Sequence, residues 1–302
     1  MYATPIPPDD QHVGMIGLGL MGSALAARLT AAGFAVTGFD IDDTKCETLR
    51  RNGGVVATSA SEVFAQCRTI ILAVFNASEI EGLFDQLAAF KAHAGTSVIC
   101  TTTCAPDEIA ILEERAADHD CAFIEAPISG TSAQVRDGTA TALIAGEREA
   151  IEAAQPVLDA FCPYQVFIGM IGDASRTKLA INLILQNNRA ALAEGIAFAE
   201  SMGLDAAAFV AAAQQSAAYS SVMDTKGHKI LARDFTPQSH IAQTLKDTEL
   251  ILDEARRQGQ PLPMTMVQAT LLRTTIARLG GEVDSAAIIE AIRPSNRRRN
   301  DP

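Results

Sequence analysis

The spacing of apolar positions divides the chain into two regimes. From residue 13 to about 168, short apolar runs alternate with stretches of helical periodicity. The runs predict strands at 13–16, 34–39, 55–57, 69–74, 97–100, 121–125 and 140–145. The fourth reads TIILAV, continuously apolar after its threonine, as a parallel strand covered on both faces should be. Between them, helices are predicted at 23–32, 43–52, 61–66, 80–90, 106–118 and 149–161. Gly33 and Gly53-Gly54 stop the first two, Ser59 or Ser61 caps the third, and Pro106 opens the fifth. Repeated β-α alternation of this kind predicts an α/β, doubly wound, mostly parallel sheet. After Gly172 the strand signal ends. Residues 174–202 carry no proline and one glycine, Gly195, and predict a helix of about 29 residues, ~43 Å long. Further helices are predicted at 205–216, 239–258, 264–279 and 285–292. The expected organisation is a loose lead-in at 1–12, a sheet domain at 13–173, an all-α domain at 174–294 and a tail at 295–302, with the long helix joining the domains.

Composition and charge narrow the class. The 302 residues are 48% hydrophobic and 20% charged, enough for two domains with cores of their own. A formal net charge of −12 opposes nucleic-acid binding, and the one basic cluster, Arg297–Arg299, reads as a solvated terminus. No apolar run approaches the roughly 18–20 residues of a membrane span. The start, MYATPIPPDDQH, lacks the basic and apolar regions of a signal peptide, so a cytoplasmic location is the default expectation. The six cysteines lie in or beside apolar stretches without a CxxC pair and are expected to be buried free thiols. No metal is expected at Cys100 and Cys104, which have no accompanying ligand set.

Candidate chemistry begins at Gly17-Leu18-Gly19-Leu20-Met21-Gly22, set between the first strand and a helix. In a Rossmann-type turn of this spacing, Gly17 permits the tight bend. Gly19 lets a pyrophosphate approach the backbone, and Gly22 lets helix pack on strand. The helix N-terminus then offers N–H groups to the phosphates. Asp40 ends the second strand, where a carboxylate can accept from ribose hydroxyls. Asp42 and Asp43 follow with no Arg beside them, which favours NAD over NADP. EAPISG at 125–130 ends another strand, and Ser129 with the Gly130-Thr131 backbone could hold a carboxylate. Lys178 and Asn182 are spaced i, i+4 on the long helix among apolar neighbours. Burial disfavours an ammonium and suits a proton acceptor. Singly, each motif is as consistent with an ordinary turn or a surface lysine.

Together, from about 13 to 294, they resemble the β-hydroxyacid dehydrogenases. That family includes 3-hydroxyisobutyrate dehydrogenase, tartronate semialdehyde reductase, threonate dehydrogenase and, more distantly, 6-phosphogluconate dehydrogenase. VGMIGLGLMGSALAARL matches the N-terminal signature, and CTTTCAP resembles the strand-end Ser-Thr-x-x-Pro segment. EAPISG resembles Asp-Ala-Pro-Val-Ser-Gly, IGMIGDASRTKLAIN the lysine-bearing segment, and FTPQSHIAQTLKD the segment whose lysine, here Lys246, reaches the nicotinamide end. The resemblance implies oxidation of a short β-hydroxy acid by NAD, with Lys178 as general acid/base. It also implies substrate contacts from Ser129, Gly130, Thr131 and Asn182. Cofactor contacts would come from Gly17 to Gly22, Asp40, Ile41, Val74, Phe75, Thr103 and Lys246. It further implies a homodimer or homotetramer. Thr131 stands in place of a second glycine, Phe75-Asn76 in place of Leu-Pro, and Ala174 in place of a glycine, with an altered loop after Thr131. These departures leave the substrate open, within acids of three to five carbons, and point toward a polyhydroxylated one. Two alternatives share the scaffold: an imine-reductase-like enzyme and a non-catalytic NAD-binding protein. Lys178 with Asn182 counts against both.

Overall fold

The computed structural model describes residues 11–87, 93 and 95–294. Residues 1–10 of the predicted lead-in, 88–90 of the predicted fourth helix, and the tail with Arg297–Arg299 lie outside the described residues. By contact density the chain forms two compact units, Met1–Lys178 and Leu179–Pro302.

The first unit is built in the order β1 (His12–Ile16), α1 (Leu20–Ala31), β2 (Ala35–Phe39), α2 (Asp43–Arg51), β3 (Val55–Val56), α3 (Ala60–Gln66), β4 (Thr69–Leu72), α4 (Ala77–Gln86). It continues with β5 (Ser97–Cys100), α5 (Pro106–Asp118), β6 (Ala122–Glu125), β7 (Ile128–Ser129), α6 (Ser132–Arg136), β8 (Thr141–Gly146), α7 (Arg148–Phe161) and β9 (Tyr164–Gly169). The sheet order is β3-β2-β1-β4-β5-β6-β8-β7, with β9 also on β8. From β3 through β6 all pairings are parallel; β8 runs antiparallel to β6 and β7, and β9 runs parallel to β8. Because side chains alternate across a strand, successive residues enter separate cores. Val13, Met15, Ile71, Ile99 and Ile124 join one; Ile16, Ile70, Leu72, Val98 and Phe123 join the other. Helices must therefore cover both faces, as the continuously apolar strands require.

Five of the parallel strands end in register. Phe39, Ile16, Leu72, Cys100 and Glu125 stand in a single row across five parallel strands. The next residues extend the ladder: Gly17 N donates to Phe39 O, Ala73 N to Ile16 O, Thr101 N to Leu72 O and Ala126 N to Cys100 O. The chain leaves all five strands at the same edge, flanking the point where strand order reverses about β1. Ligands of such sheets bind beyond this edge.

Several boundaries differ from expectation for local reasons. Helix α1 begins at Leu20, inside the glycine loop, because extended Gly19 already serves as its N-cap. Helix α4 starts at Ala77 rather than 80 because Asn76 caps it, accepting from Glu79 N. Ser59 caps α3, accepting from Glu62 N. Strands β7 and β9 and helix α6 were not expected. The first is two residues long, and β9 sits on β8 alone with Tyr164 and Phe167 exposed, so neither shows a buried apolar run.

Helix α8 (Asp173–Ser201) runs unbroken from the first unit into the second. The second unit continues with α9 (Ala206–Gln214), α10 (Ser221–Ala232), α11 (Ile241–Arg257) and α12 (Pro263–Leu279). A 3-10 turn (Ser285–Ile288) then leads to α13 (Ile289–Ile292). Its core gathers Leu192, Ile196, Val210, Val222, Ile230, Ile241, Leu272 and Ile288. Helix α10 was missed: its buried positions include Lys226, Gly227 and Lys229, which in sequence look like a solvated face. Lys226 Nζ donates to both carboxylate oxygens of buried Asp284 at 2.8 Å.

Candidate active site

The glycine loop leaves β1 at the row of strand ends. Gly17 has φ of +90°, and a Cβ there would lie 2.5 Å from Ala73 O. Only glycine fits that turn. A Cβ on Gly22 would lie 1.9 Å from Gly17 O, so the first turn of α1 lies directly on the loop. Around Gly19 the space is open, with nothing within 4 Å of a built Cβ. No side chain caps α1, whose first N–H groups therefore remain available to an anion. Ser23 Oγ donates to Leu18 O at 2.7 Å and braces the loop from inside the helix. The Leu18 side chain is buried in the core, and Met21 packs against that same core. The loop thus presents backbone at Gly19 and Leu20. A dinucleotide pyrophosphate fits this cradle: it has room, N–H donors and a helix N-terminus.

Asp40 follows β2. Its Oδ2 accepts from Leu18 N at 2.7 Å and its Oδ1 from Asp42 N at 2.9 Å, so the acid also fixes the glycine loop. Lys45 Nζ lies 3.5 Å from Asp40 Oδ1 and 3.9 Å from Asp42 Oδ2. A lysine, rather than an arginine, thus places positive charge beside the two acids. Ile41 is 94% exposed beside it. At the end of β4, Val74 is half-buried and Phe75 is 41% exposed. Phe75 N donates to Glu79 Oε2, completing the Asn76 cap that stands where the resemblance expects Leu-Pro. After β5, Thr101 and Thr102 donate their hydroxyls to Leu72 O and Val74 O, and buried Thr103 follows.

The segment after β6 meets the start of α8. Glu125 is fully buried, and its carboxylate accepts from Gly172 N at 2.7 Å and Ser175 N at 3.1 Å. Burial pushes its carboxyl above the ordinary range, while those hydrogen bonds work the other way. Lys178, only 6% exposed, donates from Nζ to Ile128 O at 2.6 Å, immediately before Ser129. Gly130 takes φ of +151° against Ala140. Thr131 N-caps α6: its hydroxyl accepts from Gln134 N and its own N–H donates to Gln134 Oε1. Its polar groups are therefore engaged in the turn.

One helical turn beyond Lys178, Asn182 is 4% exposed and donates to Asp247 Oδ2 at 3.0 Å. Lys246 Nζ lies 3.0 Å from Asp247 Oδ1. The second unit thus links Asn182, Asp247 and Lys246. In sequence, Asp247 was indistinguishable from a surface acid on α11. All six cysteines are free and buried, and burial pushes Cys67 up to about 12 and Cys121 and Cys162 to about 11, which leaves them protonated. Among the described residues, no three His, Cys, Asp or Glu side chains group as a metal site, and no helix is long and apolar enough to cross a membrane.

Comparison with known proteins identifies the family. Residues 12–172 match the NAD binding domain of 6-phosphogluconate dehydrogenase, and residues 172–292 match the NAD-binding domain of NADP-dependent 3-hydroxyisobutyrate dehydrogenase. L-threonate dehydrogenase of Cupriavidus necator is 32% identical, with 92% of this chain and 95% of that protein covered. A probable mitochondrial 3-hydroxyisobutyrate dehydrogenase-like protein of Arabidopsis thaliana is 28% identical, with 98% of each covered. The crystal structure of 3-hydroxyisobutyrate dehydrogenase from Salmonella typhimurium superposes with a TM-score of 0.85 at 25% identity, covering 92% of this chain and 99% of that one. The chain belongs to the β-hydroxyacid dehydrogenases, a family of NAD(P)-dependent oxidoreductases.

Proposed function

We propose that the protein interconverts a short β-hydroxy acid and its oxo acid or semialdehyde, with Lys178 as the group that takes and returns the hydroxyl proton. The observation that carries this reading is the buried Lys178 amine held 2.6 Å from Ile128 O, next to Ser129, in the unit that carries the glycine loop. A neutral Lys178 accepts the hydroxyl proton as the carbinol carbon is oxidised. The Ile128 carbonyl is already aimed at the ammonium that results, so it stabilises the charge without reorganising. In reduction the same ammonium donates the proton back. The chemistry that bound NAD supplies is acceptance and return of the hydride.

Ser129 and the backbone at Gly130 bind the substrate carboxylate. Thr131 acts through its cap, holding that turn in place. Asn182, one turn along α8 and fixed by Asp247, orients the hydroxyl or carboxylate. Lys246 helps hold cofactor or substrate at the nicotinamide end. Gly17 to Gly22 receive the pyrophosphate, Asp40 and Ile41 the adenosine ribose, and Val74, Phe75 and Thr103 the remainder of the cofactor. Asp40, with Asp42 and Asp43 beside it, supports NAD over NADP; Lys45 lessens the repulsion of a 2′-phosphate without removing it. Relatives named for threonate and 3-hydroxyisobutyrate oxidation support a substrate of three to five carbons. Exposed Phe198, Met202, Met264, Met266 and Val267 on the second unit support a homodimer or homotetramer.

Initial rates on a panel of short hydroxy acids, each with NAD and with NADP, and on cyclic imines with the reduced cofactors, test this reading. Turnover of at least one acid, faster with NAD, is the expected result. NAD binding without turnover of any acid would favour a binding protein, and turnover confined to cyclic imines would favour an imine reductase.

A further inference from the structure

The turn after β6 and the opening of α8 are joined at two levels. At the first, the Glu125 carboxylate accepts from Gly172 N at 2.7 Å and Ser175 N at 3.1 Å. At the second, three residues further along both segments, Lys178 Nζ donates to Ile128 O at 2.6 Å. Ser175 Oγ turns back to Gly172 O at 3.0 Å and closes the helix's first turn around the carboxylate.

The root of Glu125 is immobile. Its backbone pairs with Cys100 of β5 on one side and Ala145 of β8 on the other. A fully buried carboxylate is costly unless hydrogen-bonded, and here the partners come from a helix start, where N–H groups lack partners and the dipole favours negative charge. The side chain is therefore a short rigid post from the sheet that grips α8 at its first turn. Lys178 has a long flexible stem, so the position of its amine depends on where the second turn of α8 is held.

We infer that Glu125 is the positioning residue for Lys178: its grip on Gly172 and Ser175 sets the height and rotation of α8, so that the Lys178 amine stands at the Ile128 carbonyl beside Ser129. This rests on the reading of Lys178 as the proton-transfer group. Length matters as well as charge. The family pattern has Asp where this chain has Glu, and shortening the side chain here by one methylene would withdraw the acceptors by roughly 1.3 Å. Displacements near 1 Å cost about 10²-fold in rate when reacting groups must be aligned.

The test compares Glu125→Gln, Glu125→Asp and Glu125→Ala, each in the parent chain and in Lys178→Ala. Glu125→Gln keeps the length and one acceptor, and kcat should fall about 10-fold. Glu125→Asp and Glu125→Ala should lose about 10²-fold. In all three, the NAD dissociation constant should stay within about twofold, because the glycine loop and the strand ends do not move with α8. In the Lys178→Ala background the residual rate should change less than twofold on adding Glu125→Gln, since residues acting through one group are not additive. A wild-type kcat in a folded Glu125→Gln or Glu125→Asp variant, or an equal loss in both backgrounds, would overturn the inference. Should Lys178→Ala itself keep wild-type turnover, the Lys178 reading fails and the inference falls with it. Failure of Glu125 alone is recognised by a Lys178→Ala collapse with additive or absent Glu125 effects.

Discussion

Gly19 and Gly22 sit three positions apart in one loop and carry opposite constraints. A methyl group on Gly22 would strike Gly17 O at 1.9 Å, whereas one on Gly19 meets nothing within 4 Å. Gly22→Ala should therefore destabilise the protein by about 1–3 kcal/mol or more through overpacking, read as a lower melting temperature without cofactor. Gly19→Ala should melt like the parent and bind NAD at least about tenfold more weakly, read by calorimetric titration, because its methyl fills the space a pyrophosphate needs. Asp40 is legible for the same reason as the glycines: its position is local, one residue past a strand of obvious pattern. Replacing it by serine should raise kcat/KM with NADP relative to that with NAD, because one of the two acids beside Lys45 is then removed. Lys45 itself was not legible, since its approach to Asp40 depends on how α2 starts. Thr131 was legible as a departure from the family pattern but not as a helix cap, which needed the sight of Gln134 bonding in both directions.

At the scale of elements, continuous apolar runs identified the buried parallel strands and the unbroken period identified α8 within a residue at each end. Helix α10 escaped the pattern because its burial is carried by residues that sequence reads as exposed. Helix α10 buries Lys226 and Lys229, packs Gly227 near Val210, and has only Val222, Met223 and Ile230 as buried apolar contacts. Its Lys226–Asp284 pair ties α10 to the 3-10 turn, and Gln238 N and Ala286 N also donate to the Asp284 carboxylate. Burial works against ionisation of that carboxyl, but the Lys226 ammonium and the backbone donors outweigh it and hold the group below the usual carboxylate range. A depressed folded-state value contributes stability that is present above the ordinary carboxylate pKa of about 4 and is lost as pH falls through the lower folded-state value. Asp284→Asn should cost about 3–5 kcal/mol at neutral pH, because it leaves a buried ammonium unpaired. The gap between parent and variant denaturation midpoints should narrow as the solution is acidified below pH ~4.

For the whole molecule, the alternation of strand and helix followed by an all-helical half was readable because short apolar runs punctuate helical periodicity throughout the first half and disappear from the second. Motif order was readable too, since Gly17, Asp40, Val74 and Thr103 each follow a parallel strand that ends at one register row, which makes their sequence spacing a record of the sheet edge. What sequence could not supply was the pairing of distant groups: Glu125 with Ser175 across 50 positions, Lys178 with Ile128 across 50, and Asn182 with Asp247 across 65. The central claim is that Lys178 moves the proton. The most direct measurement is turnover of Lys178→Ala on the best acid of the panel, alongside NAD binding. The account predicts a fall in kcat of about 10²–10⁴-fold with the NAD dissociation constant within about twofold of the parent. Turnover close to the parent in a folded, NAD-binding variant would contradict it.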